Sequence, residues 1–324
     1  MVVSPQHSQY VGCPVELDWS PMPLKEWRAL LSSAPRTTLL QSWPYARAMR
    51  QHNQVITRPA LIRHRRDILG LFQIQEVALG PLHIVHLHRG PVWLQDNPPL
   101  NHWASFLERF TGHFPSRLGR LRRLMPGMHH DAESQALMSD FGFKPKGSPY
   151  ETIWLDLTRD LTTLRAGLNP KWRNALSKAE RSKVRVHLTT DGRGRDWFLR
   201  GYARDRQTRG YRSVSVPFLK TLITEAGRQD EAWILRATLE GRAVAGILVL
   251  LHGSSATYQA GWTTSDGRTV NAHHLLLWSA IDALKERSIR SLDLGGVHPR
   301  MAEGVTRFKK GLGGDHCVLA GLYA

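Results

Sequence analysis

Residues 232–263, "AWILRATLEGRAVAGILVLLHGSSATYQAGWT", are three apolar runs of strand length separated by turn residues at Glu240-Gly241 and Gly253–Ser255. Such a pattern predicts a three-stranded antiparallel meander. Downstream, "NAHHLLLWSAIDALKERS" (271–288) has the spacing of a helix, and "IRSLDLGG" (289–296) reads as a strand ending at paired glycines. Upstream lie a strand in "VRVHLTT" (184–190) and helices over 195–210 and 216–229. Before them, 162–183 is helical with a break at Asn169-Pro170, and the tail "DHCVLAGLYA" is a last strand.

Working back to the N-terminus, the same order of elements recurs. Helices are expected over 23–33 and 39–53, the second capped by Ser42 with Pro44 in its first turn. A hairpin with a basic turn (57–79) and a strand stopped at Gly90-Pro91 (82–94) follow. A helix (101–114), a strand (119–128), a short helix that ends at a glycine and leads into an extended segment (134–146), and a strand (151–157) complete the first half. The expected fold is α/β, with mixed sheets flanked by helices in two tandem units, 1–158 and 159–324, linked near Thr158–Thr163. This order resembles that of acyltransferase (GNAT-like) domains, and two copies suggest an internal duplication.

Charge narrows the partners. The chain has 44 Lys/Arg against 27 Asp/Glu, a net charge of +17. Residues 159–215 alone hold fifteen basic and five acidic side chains, a net of +10. Smaller basic clusters are "RHRR" (63–66) and "RLGRLRR" (117–123). An excess this large points to an anionic partner: nucleic acid, a phosphorylated substrate or a membrane surface. The N-terminus has no apolar h-region after a basic start, and no run is long enough to span a bilayer, so a cytoplasmic protein is expected. Cys13 and Cys317 match no metal-ligand spacing, and His83, His86 and His88 lack a carboxylate or cysteine partner, so no metal is expected.

Several segments, in order, resemble the FemABX family of aminoacyl-tRNA-dependent peptidyltransferases. They are "QSWPYARAMR" (41–50), "HRGPVWL" (88–94), "NPKWRNALSKAERSKVRV" (169–186), "QTRGYR" (207–212), "YQAGWTT" (258–264), "LLLWSAIDALKERSIRSLDLGGV" (275–297) and "GVTRFKKGLGG" (304–314). The resemblance implies transfer of an amino acid from aminoacyl-tRNA, as co-substrate, to an amine, with no bound cofactor. In the family that amine belongs to a peptidoglycan precursor or to another small molecule. By the same resemblance, Phe308 and Lys309 fall near the reacting ester and the terminal adenosine, Lys178 and Arg181 lie in a basic helix that contacts acceptor phosphates, and Arg89 occupies the basic position before Gly-Pro-Val. Two positions depart from the family pattern. Met49 stands where some members have a phosphate-binding lysine, and Leu94 stands where they have an acid. Both belong to acceptor recognition, which leaves the acceptor open between a cell-wall precursor and another amine.

The residue types fit that chemistry. An aminoacyl ester is already activated, so positioning and stabilisation of charge are what a catalyst must add. Lys309 suits an oxyanion or a departing ribose oxygen, though it could also cover an apolar edge with its charge in water. Phe308 could stack on a base or sit in the core. Arg173, Lys178 and Arg181, interleaved with Trp172, suit phosphates, and Arg307 adds a cation beside Phe308. Asp293, at a strand end before two glycines, is a site candidate or a turn former. Tyr258 is placed to line an acceptor groove or the interior. The rival reading, an acyl-CoA N-acyltransferase, needs a Q/R-x-x-G-x-G/A loop before the helix at 271, and "TTSDGRTVNA" lacks that spacing.

Overall fold

The computed structural model describes residues 13–210, 213–297 and 303–324. Residues 1–12, in the stretch read for a secretion signal, lie outside these, as do Tyr211 and Arg212 of "QTRGYR". The first unit runs β1 (Glu16–Asp18), α1 (Leu24–Ser33), a 3₁₀ turn (Leu39–Gln41), α2 (Trp43–Asn53), β2 (Ile56–His64), β3 (Asp67–Leu79), β4 (Leu82–Gly90), β5 (Val92–Trp93), α3 (Leu100–His113), β6 (Arg120–Pro126), α4 (Ala132–Asp140) and β7 (Tyr150–Asp156). The second runs α5 (Leu161–Ala166), α6 (Pro170–Glu180), β8 (Val184–Thr189), α7 (Arg195–Arg209), α8 (Val216–Gly227), β9 (Ala232–Leu239), β10 (Arg242–His252) and β11 (Ser255–Thr263). It closes with α9 (Ser265–Thr269), α10 (Ala272–Glu286), β12 (Ser291–Asp293), α11 (Glu303–Lys310) and β13 (Asp315–Leu319).

The local signals act as their chemistry requires. Ser42 caps α2 by accepting from the Tyr45 amide. Glu240 and Gly241 both take positive φ, 50° and 78°, the conformation a two-residue hairpin turn needs. Asn169 caps α6, with Pro170 at its start.

One sheet has the order β1-β2-β3-β4-β6, with β5 beside β3; the other has the order β13-β7-β12-β11-β10-β9-β8. In each, the third meander strand pairs in parallel with the strand beyond the next helix, β4 with β6 and β11 with β12. Sheet pairing crosses the expected division at 158/159. β7, assigned by sequence to 1–158, sits in the second sheet between β12 and β13. Tyr323, beyond β13, bridges back to Leu124 of β6 and to Pro145. The two units thus exchange their last segments. A strand's alternation specifies that a face be buried, but not against which sheet edge. Here Ile153, Leu155 and Leu157 join the second core.

That core packs Leu276, Leu277, Ala280 and Ile281 of α10 and Trp172 and Leu176 of α6 onto Ile247 and Val249 of β10. On the opposite face, α7 and α8 pack Phe198, Leu199, Leu219 and Ile223 against Leu248 and Leu250, and Leu39 and Ala48 of the first unit join them. In the first sheet, Trp103, Phe106 and Phe110 of α3 cover Phe72, Ile74, Val85 and Leu87.

A buried polar chain joins the two units. Thr37 donates through Oγ1 to the His252 carbonyl and lies 3.0 Å from His252 Nδ1. Its amide donates to Ser255 Oγ, which bonds Ser291 Oγ at 2.8 Å, while His252 Nε2 meets Thr257 Oγ1 at 2.8 Å. Burial pushes His252 down to about 3, so the ring is neutral at physiological pH. Thr37→Val keeps the shape but leaves buried groups on His252 without partners. The expected cost is about 1–3 kcal/mol of stability, read from the shift in urea midpoint.

Candidate active site

Parallel pairing of β11 and β12 covers Ser255–Ser291, Ala256–Leu292 and Thr257–Asp293, whereas β11 continues to Thr263. The two strands therefore part just beyond Thr257 and Asp293, and a wedge opens at the carboxyl end of β12. Titratable groups gather around it.

Asp293 forms one wall. Its Oδ1 accepts from the Thr152 hydroxyl and, at 2.8 Å, from the Gly295 amide. Burial raises its pKa, against the lowering effect of these bonds and of Arg89 and Lys309. Lys309, on the last turn of α11, is only 6% exposed and donates from Nζ to the Gly296 carbonyl at 2.9 Å. Desolvation pushes it down to about 8, although Asp293 pulls the other way. Arg89 enters from the first unit, with its guanidinium carbon 3.4 Å from the centre of the Tyr150 ring. Burial likewise lowers the Arg89 pKa, while burial and Asp293 together raise Tyr150 to about 12. Arg89 is held in a left-handed backbone conformation, φ 58°. The preceding residue is pinned, because Gln41 Nε2 donates to the His88 carbonyl at 2.8 Å. Gln41 in turn accepts from the Gln73 amide at 2.7 Å.

The α10 side supplies a second group. Tyr258 Oη lies 2.8 Å from His273 Nε2, and Gly261 leaves the space in which they meet, since a Cβ there would come within 2.6 Å of both. Burial pushes His273 down to about 4, so it is neutral at physiological pH. Phe308 is half-buried, with ring centres of His273 and His274 at 5.4 and 5.0 Å and Trp172 at 5.8 Å. Most of its surface is thus spent on packing.

Residues 169–310 match the acetyltransferase (GNAT) domain family. FemX superposes with a TM-score of 0.80 at 14% identity, covering 95% of this chain and 96% of that one. The chain has a tandem GNAT fold. The L-PGS of Bacillus licheniformis matches with a TM-score of 0.51 at 15% identity over 95% of this chain and 93% of its own. A tandem GNAT protein from the clavulanic acid biosynthesis pathway matches with a TM-score of 0.50 at 13% identity, covering 95% and 97%. At these identities the likeness is one of fold. No curated protein matches the chain in sequence.

Within the tandem GNAT fold, Arg89, Asp293 and Lys309 converge at the wedge, with Tyr258 on its β11 side. The other expected residues do not join them. Arg173 is consumed by the carbonyls of Ala166 and Leu168, at 2.8 and 3.0 Å, where it caps α5. Lys178 and Arg181 are exposed, and Arg307, also exposed, pairs with Glu303. Sequence reasoning missed Tyr150, Thr152 and His273. Tyr150 and Thr152 share a face at alternate positions of a strand, a visible signal, but their neighbour β12 lies far along the chain. His273 stands at a helix start, and its tyrosine partner lies on another element.

His86 and His88 stack at 4.7 Å, with burial pushing them down to about 4 and about 3. Among the described residues, no group of three or more His, Cys, Asp or Glu is arranged to hold a metal ion. A surface cleft of about 460 Å³ is lined by Arg200, Arg204, Arg209 and Arg268 around Trp197 and Trp262.

Proposed function

We propose that this chain is an aminoacyltransferase that moves an amino acid from aminoacyl-tRNA to an amine. The observation that carries the reading is the buried ammonium of Lys309, held on the Gly296 carbonyl beside a buried Asp293 where β11 and β12 part. In the reaction, the neutral amine nitrogen bonds to the ester carbonyl carbon and the carbon–ribose oxygen bond breaks. The amine gives up a proton and the ribose oxygen gains one. Asp293, whose ionised form burial disfavours, is suited to accept the first proton. Lys309 is suited to stabilise the oxyanion and deliver the second proton, because its lowered pKa lets it part with a proton near neutrality. Arg89 offers a fixed cation for an anionic acceptor on the first-unit side. The arginine–tryptophan cleft and the exposed Lys178 and Arg181 offer phosphate contacts for an RNA donor.

The acyl-CoA alternative has less support. The connection between β11 and α10 holds the short helix α9, and its one glycine, Gly267, faces inward. A Cβ on Gly267 would lie 2.4 Å from the Val244 carbonyl oxygen, so this glycine serves packing against β10 rather than a pyrophosphate.

The test incubates purified protein with a full set of labelled aminoacyl-tRNAs and a ribosome-depleted extract as the source of amine, with acetyl-CoA as a parallel donor. Label passing from one tRNA species into an RNase-resistant product is the expected result. Thiol release from acetyl-CoA without label transfer would overturn the reading. In Asp293→Asn, transfer should fall by about 10²-fold, and the acid limb of the pH–rate profile should disappear. A limb retained in that variant would assign it to another group.

A further inference from the structure

One end of the first sheet is apolar and, among the described residues, uncovered. The register pairs Val77 with Ile84 and Leu79 with Leu82, and β6 adds Leu121 beside Ile84, so these five side chains share a face. It is the face away from α3, whose core takes Val85, Leu87 and Leu124 instead. Leu79 is 65% exposed, Leu82 40% and Leu121 39%. The loop between α3 and β6 lies against the β3–β4 turn, because the His83 amide donates to the Gly119 carbonyl at 2.7 Å. Gly119 also passes so close to Pro81 that a Cβ would lie 2.4 Å from the proline carbonyl oxygen. This junction holds Leu118, completely exposed, at the same apex.

Arginines surround the apex. Arg117, Arg120, Arg122 and Arg123 belong to the loop and β6, and neither 77–82 nor 114–123 contains an acidic residue. The nearest acid on these strands, Glu76, is already paired with Arg58 and His83 at 3.2 Å. Arg120 and Arg122, on the opposite face of β6 from Leu121, donate to the carbonyls of Pro115 and Phe114, while Arg123 shares the face of Leu121.

We propose that this two-loop tip docks the protein onto an anionic phospholipid bilayer, with Leu79, Leu82, Leu118 and Leu121 entering the acyl boundary and the arginines meeting headgroup phosphates. Apolar insertion and basic attraction are the two signals that peripheral attachment combines. A protein partner of ordinary stability needs roughly 1,000 Å² of complementary surface, and a protruding apex of two turns presents a narrow one. The tip lies at the start of β4, a full strand from Arg89 near its end, so docking leaves the wedge open. The proposal does not depend on the identity of the acyl donor.

The test measures co-sedimentation of the full chain with phosphatidylcholine vesicles, with and without phosphatidylglycerol. Binding should require phosphatidylglycerol. Leu82→Ser combined with Leu118→Ser should weaken it by about tenfold or more at unchanged net charge. Both positions are exposed, and an unchanged urea midpoint will show that the fold is intact. In a separate variant, Leu118→Trp, brominated lipid should quench the new fluorescence. Equal binding by the serine variant would overturn the proposal, since the overall +17 charge would then account for attachment. So would an absence of quenching. Loss of a dimer in the serine variant would show instead that the tip meets a second copy.

Discussion

A Lys309→Met variant should lose transfer by about 10²–10³-fold, the usual consequence of removing one group that stabilises developing charge. It should nevertheless unfold at a higher urea concentration than the parent at pH 7. Both effects follow from the burial of a cation. Its pKa falls from 10.5 to about 8 on folding, because the protein disfavours the charged form. That displacement corresponds to about 3 kcal/mol of instability. The cost is present in full below pH 8, where the folded lysine is charged. It fades as pH rises toward 10.5, where the unfolded lysine is also neutral. Methionine matches the stem and removes the charge. It leaves the Gly296 carbonyl without its donor, at about 1 kcal/mol, so the net gain at pH 7 is about 2 kcal/mol. The advantage should vanish by alkaline pH. A variant less stable than the parent at pH 7 would mean that Lys309 serves the fold, and its role at the wedge would be withdrawn.

Gly313→Ala should have the largest effect on folding. Gly313 has φ 75°, and a Cβ there would lie 2.1 Å from the Gly167 carbonyl oxygen. A methyl group must both enter the left-handed region and push backbone away, at about 3 kcal/mol or more. The neighbouring glycines are similarly engaged. Gly314 meets the Trp154 carbonyl, and the Gly311 carbonyl accepts from the Asn169 amide at 2.9 Å. The run Gly311–Gly314 is thus neither a phosphate loop nor a free turn, but the seam that fastens α11 to the α5–α6 junction and to β7. Since α11 carries Lys309, the folded fraction of the variant should also transfer poorly. Gly304→Ala is the control. Gly304 is helical with open space around it, so alanine there should stabilise by about 0.5–1 kcal/mol. If both variants show the same urea midpoint, the seam is not structural.

Periodicity and turn chemistry made most elements legible. The meander, the break at Asn169-Pro170, the Ser42 cap and the order of each unit are local matters, decided within a few residues by backbone sterics and apolar spacing. α9 escaped because five residues are too short for a helical period to show. At the site, Lys309, Asp293 and Arg89 carried chemistry in their residue types and neighbouring motifs. For Arg173 the sequence is silent on its partner, because a basic residue at a helix start looks alike whether it meets a phosphate or, as here, the carbonyls of Ala166 and Leu168.

What the sequence determined by itself was the alternation of strands and helices, the duplication and the positive charge, since each depends on neighbours along the chain. Only the tertiary structure decided that β7 enters the second sheet and that Tyr323 returns to the first. It alone brought Arg89 and Tyr150 to Asp293 and Lys309. Strand pairing over long separations is governed by which buried edges and faces fit together, and a linear pattern does not encode that choice. The lowered pKa of Lys309 has the same origin: a lysine becomes an unusual one only when distant segments exclude water from it.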